Sequence, residues 1–117
     1  MTVMHWRDLA ANEQALLNRL LTPTFSGKDQ LRVQLKHCRV RTIDDNGSLE
    51  FEVNTDTRIP DAKYGVLTEG EFRDFDQGAA HVLLHVRDGL VRILEFYKED
   101  SSNVLNMPQP ENVDVFA

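Results

Sequence analysis

Residues 79–98 constrain this chain more than any other stretch. Ala80, Val82, Leu84 and Val86 alternate with His81, Leu83, His85 and Arg87. Val91, Ile93, Glu95 and Tyr97 then alternate with Leu90, Arg92, Leu94 and Phe96. A period of two is the mark of a β-strand with one face buried. Asp88-Gly89 between the runs reads as a two-residue hairpin turn. Such a turn sets Val86 opposite Val91 and Leu84 opposite Ile93, which makes one face strongly apolar. His85 then falls opposite Arg92 and His81 opposite Phe96. Glu95 is the one residue that interrupts the apolar face, and a carboxylate there must be paired, protonated or at the rim.

A second hairpin precedes this one. Cys38, Val40 and Thr42 alternate with Arg39 and Arg41, and Leu49, Phe51 and Val53 alternate with Glu50 and Glu52. Asp44-Asp45-Asn46-Gly47 is the turn between them, with Asn-Gly supplying positive φ angles. Arg41 opposite Glu50 and Arg39 opposite Glu52 would form a ladder of opposite charges on a solvated face. Residues 54–62 read as a loop, Tyr64 to Glu71 as a further strand, and Arg73 to Gly78 as a polar loop. From about residue 100 the chain is polar, carries Pro108 and Pro110, and reads as an irregular tail.

The N-terminal third has a different period. Leu9, Leu16, Leu17, Leu20 and Leu21 share one helical face, with Asp8 as cap and Thr22-Pro23 as stop, which predicts a helix over 8–21. Ser26-Gly27-Lys28-Asp29 resembles a capping box with Asp in place of Glu. It favours a second helix over 28–36, with Leu31 and Leu35 inward, although Leu31, Val33 and Leu35 also fit a strand. Two N-terminal helices on one face of a mostly antiparallel sheet of about five strands is an α+β fold. At 117 residues it is read as a single domain, residues 1–117.

Charge is divided unevenly. Residues 1–43 carry a net +4 and residues 44–117 a net −10, giving −6 for the chain. An acidic chain is repelled by phosphate backbones, so nucleic acid is not expected as a partner. A basic protein is the expected partner, because an acidic surface speeds such encounters. No run of roughly 18 apolar residues predicts a membrane span. Met1 to Asp8 lacks the order of a secretory signal. Together with the single cysteine, this reads as a cytoplasmic chain.

Candidate chemistry is sparse. His81 and His85 have the spacing of a helical metal pair, but on a strand they stand roughly 13 Å apart and cannot share one ion. Cys38 lacks the partners of a nucleophile and reads as a small buried hydrophobe. Glu69, Glu71, Asp74 and Asp76 do not follow a calcium-loop pattern, so they read as exposed acids. No catalytic residue, metal or cofactor is predicted.

Three segments together carry a resemblance. They are Leu16-Leu17-Asn18-Arg19-Leu20-Leu21; Phe25-Ser26-Gly27 through Leu31 with Gln34-Leu35; and His81 through Gly89 leading to Leu94-Glu95-Phe96-Tyr97-Lys98-Glu99-Asp100. Over residues 9–110 the chain resembles a family of small bacterial proteins known only as a domain of unknown function. The resemblance implies that Glu95 in its Leu-Glu-aromatic setting recurs in the fold. Some members have a cysteine-rich strand near the first hairpin. Cys38 alone stands there in this chain, so no metal role carries over. In size and charge the chain also looks like the immunity proteins of bacterial toxin systems.

Three functions follow as expectations. The first is a non-enzymatic module that binds a basic protein, such as a toxin, through Glu69, Glu71, Asp74 and Asp76. The second is a small-ligand site or minor enzyme on a sheet face with His81, His85, Arg92 and Glu95. The third is a self-associating scaffold, so the chain is a monomer or a homodimer.

Overall fold

A computed structural model describes residues 5–60 and 64–116. Two helices, α1 (Ala11–Leu20) and α2 (Lys28–Lys36), precede the strands. These are β1 (Cys38–Thr42), β2 (Leu49–Val53), β3 (Tyr64–Arg73), β4 (Ala79–Arg87), β5 (Leu90–Lys98) and β6 (Asp114–Phe116). The strands form one antiparallel sheet in the order β1-β2-β5-β4-β3-β6.

Helix α1 starts at Ala11, and Ala10 stands at its cap in place of Asp8. Ala has no side-chain acceptor, so Glu13 takes the role from within the first turn. Its carboxylate accepts the Ala10 N–H at 2.8 Å and both Arg7 guanidinium nitrogens at 2.7 and 2.8 Å. Helix α2 matches its expected span, but Gly27 is its cap, with φ of +89° and no capping side chain. The segment read as a capping box therefore works through backbone freedom. Leu31 and Gln34, three residues apart, are the fully buried positions of α2, whereas Leu35 is half-buried.

Leu16, Leu17, Leu20 and Leu31 from the helices meet Val40, Leu49, Phe51, Val82, Leu84, Val91, Leu94 and Phe96 from the sheet in one core. The first hairpin pairs as expected, Arg39 opposite Glu52 and Arg41 opposite Glu50. In its turn Gly47 has positive φ and Asn46 does not. Asn46 instead receives support from Asp44, whose Oδ1 accepts the N–H of Asn46 and of Ser48. Residues 54–60 form no regular element, and residues 61 and 62 of the expected loop lie outside the described residues.

The second hairpin departs from expectation at one point. Asp88 and Gly89 form the tight turn, with φ of +54° and +76°, and Val86 does face Val91. One step on, His85 faces Ile93, so Arg92 is an extra residue in β5. This β-bulge shifts the register by one. A shift of one turns every later side chain to the other face of the sheet. Leu94, Phe96 and Lys98 therefore point at the helices, and Ile93, Glu95 and Tyr97 point away. Glu95 does not interrupt the apolar face, as the simple alternation predicts. His81 lies opposite Tyr97, and His85 opposite Ile93, in place of Phe96 and Arg92.

The tail is also more ordered than its composition suggests. Val104 and Val113 enter the core, a short 3-10 turn spans Pro110–Asn112, and β6 pairs with the middle of β3 as a sixth strand. Arg19 holds this end in place by donating to the Val113 carbonyl from two nitrogens at 3.1 and 3.0 Å. No helix of the described residues is long and apolar enough to cross a membrane.

Candidate functional site

The sheet face turned away from the helices is where most of the sequence-predicted residues gather. Register fixes its rows. Phe116, Glu69, Leu83 and Glu95 lie side by side across β6, β3, β4 and β5. The next row is Asp114, Glu71, His81 and Tyr97. Same-face neighbours on adjacent strands stand about 5 Å apart, so these rows are contiguous surface. Among the described residues no helix covers them. Val66, Tyr97 and Phe116 are exposed hydrophobics on this face.

Both histidines are held by carboxylates. His81 Nε2 bonds Glu99 Oε1 at 2.8 Å, and its ring stacks on Tyr97 with centroids 4.9 Å apart. His85 Nε2 bonds Glu95 Oε1 at 2.9 Å. The bulge makes the second pair possible, because it brings Glu95 to the histidine side of the sheet. Beyond His85 the face dips into a hollow of about 570 Å³ bounded by Ile43, Glu50, His85, Arg92, Ile93 and Glu95, among others. Thus His81, His85, Arg92 and Glu95 do share one side of the molecule. Among the described residues, no three ligating side chains converge as a metal would need.

The four acids expected to meet a partner divide into two pairs. Glu69 and Glu71 project from β3 onto the open face, Glu69 exposed and Glu71 half-buried. Asp74 is buried, not exposed as its place in a polar segment suggests. Its carboxylate accepts the N–H of Phe75, Leu105 and Asn106 and lies 3.1 Å from Lys98 Nζ. Asp76 is half-exposed but is bonded to the same ammonium at 2.6 Å. Burial alone would raise the Asp74 pKa; the Leu105 and Phe75 amides and Lys98 outweigh it, and the carboxyl sits below its usual range. The bonded Asp76, with Asp74 behind it, raises Lys98. These groups fasten the β3–β4 loop to the tail.

Lys98 and Gln34 escape a reading by alternation. Lys98 faces inward only because of the bulge at Arg92. The signal was present: the apolar phase runs Val91, then Leu94 and Phe96, a step of three where a regular strand gives two or four. Gln34 is fully buried, and its amide bonds the turn of the second hairpin. Nothing in the local pattern distinguishes it from a surface glutamine. Cys38 is half-buried, donates to the Leu35 carbonyl, and burial pushes its thiol up to about 11.

Fold and site together define an α+β protein with one sheet face closed by helices and the other left open. The family described as Domain of unknown function (DUF6984) matches residues 6–108, and the chain belongs to that family. No curated protein and no solved structure matches the chain.

Proposed function

We propose that the open sheet face binds a basic protein and that the chain is a non-enzymatic binding module acting in the cytoplasm. The observation that carries this is the content of the two rows and of the positions beside them. Glu69, Glu71, Glu95, Glu99 and Asp114 are interleaved with Leu83, Tyr97 and Phe116 on one uncovered surface. Apolar and charged side chains sharing one contiguous exposed surface suit a protein interface. The acidic side chains select basic partners and speed their approach. Neutralising a basic toxin, as immunity proteins do, is the specific form this reading takes. Asp74 and Asp76 are spoken for by Lys98 and have no part in it.

The test is affinity capture from lysate at low salt with the wild-type chain and with the double variant Glu69→Lys/Glu71→Lys. A basic protein should be retained by the first and lost by the second. The binding of the purified pair should weaken steeply with salt, as exposed charges require. Equal capture by both proteins, or binding indifferent to salt, refutes the proposal.

A further inference from the structure

The hollow at the other end of the open face has features the protein-binding surface does not need. Bulges in both neighbouring strands flank His85. Leu67 is the extra residue in β3 and Arg92 the extra residue in β5. Bulges concentrate beside sites because they re-aim side chains. The depression of about 570 Å³ lies on the β5 side of His85, where the bulge residue Arg92 is part of its lining and no described β3 residue is.

The charges of this depression are not equally available. Glu50 is paired with Arg41, Glu95 with His85, and Asp44 accepts two backbone N–H groups. Arg92 makes no hydrogen bond or ion pair among the described residues, and Arg87 reaches only Asp88, at 4.0 Å. Each lining acid thus has one oxygen engaged, whereas the Arg92 guanidinium has no bonded partner among the described residues. Ile43 and Ile93 provide apolar wall, and Ile43 is 45% exposed.

We propose that this hollow binds a small organic anion, a carboxylate or phosphate carried on an apolar body. Arg92 takes the anionic group, since a guanidinium offers paired N–H donors matched to carboxylate or phosphate oxygens. Arg87 adds positive charge at the rim. The apolar body lies against Ile43 and Ile93. Glu95 fixes the orientation of the His85 ring that forms one wall. The volume lies within the range of small-ligand sites.

The test is titration of the full chain with phenyl phosphate and with benzoate, followed by amide and arginine side-chain NMR. Benzyl alcohol serves as the neutral control. Saturable shifts at Ser48, His85, Arg92 and Ile93 are expected with at least one anion and not with the alcohol. Arg92→Gln should weaken binding about tenfold or more, the size of one lost charge-assisted bond. Arg73→Gln, at the far end of the same sheet, should leave it unchanged. The amide spectrum of each variant reports whether it is folded. Glu69→Lys/Glu71→Lys should also bind the anion normally, which separates this site from the protein-binding surface. Equal response to benzyl alcohol, no response to either anion at millimolar concentration, or an undiminished Arg92→Gln overturns the proposal.

Discussion

Replacing Gln34 with Leu tests whether a buried amide ties α2 to the second hairpin. Gln34 is fully buried, and all its polar capacity is directed at backbone. Its Nε2 donates to the Thr57 carbonyl at 2.9 Å and the Gly89 carbonyl at 2.8 Å, and its Oε1 accepts the Val91 N–H at 2.8 Å. Leu fills a similar volume and removes all three bonds. The buried Val91 N–H loses its acceptor at a cost of about 2 kcal/mol, and the two carbonyls lose about 1 kcal/mol each. Those carbonyl costs are moderate because Gly89 keeps the Ile59 N–H at 2.9 Å and Thr57 is only half-buried. Two apolar carbons in place of the amide return about 1.5 kcal/mol. The net is destabilisation by about 2.5 kcal/mol, or a fall in Tm of about 10 °C for a chain of this length.

Urea unfolding followed by circular dichroism reads this as a lower midpoint with an unchanged slope. Gln34→Glu supplies the complementary check. Its carboxylate can accept the Val91 N–H but faces two carbonyl oxygens with no donor. Burial and that opposition raise its folded pKa above the unfolded value. The variant is then least impaired below the unfolded pKa of about 4 and loses stability as pH rises through the folded value. A Gln34→Leu protein as stable as wild type refutes the assignment of this amide as a tether.

Asp74→Asn should release the tail, seen as faster hydrogen exchange at Leu105 and Asn106 while the β4–β5 amides stay protected. Acid should do the same to wild type. The Asp74 and Glu13 pKa values are held below normal, so their stabilisation is full above about pH 4 and is lost as pH falls through the folded values. A protection factor at Leu105, taken relative to the intrinsic exchange rate at each pH, that does not fall on acidification would count against this. Gly70→Ala places a Cβ 3.2 Å from Val82 Cγ1 and 3.3 Å from Leu20 Cδ2, and closer still to Val113. Overpacking of this kind costs about 1–3 kcal/mol, to be read as a lower urea midpoint. With its thiol near 11, Cys38 is thiolate in only about one molecule in ten thousand at pH 7. Alkylation by iodoacetamide should be slow in the folded protein and fast in urea, and equal rates would refute the burial argument.

What could be read from the chain was whatever has a local period. The leucines of α1 repeat at helical spacing and are buried as that spacing requires. Arg39, Arg41, Glu50 and Glu52 alternate with core residues, and their pairing came out in the expected register because the turn and the pleat dictate it. Membership of a family known only as a domain of unknown function was legible too, through segments that the match to residues 6–108 includes. The site was legible only in part. His81, His85, Glu69 and Glu71 reach one face through simple alternation.

Glu95, Lys98, Asp74 and Gln34 depended on the tertiary structure. One extra residue at Arg92 moved Glu95 beside His85 and sent Lys98 inward to meet Asp74 and Asp76. A bulge is a contest between two strands over register, decided by which side chains best fill the core between sheet and helices. Leu94 and Phe96 won that contest over Ile93 and Glu95. Periodicity along one strand describes which residues share a face. Packing between distant segments decides which face is buried, and with it which residues can meet a partner.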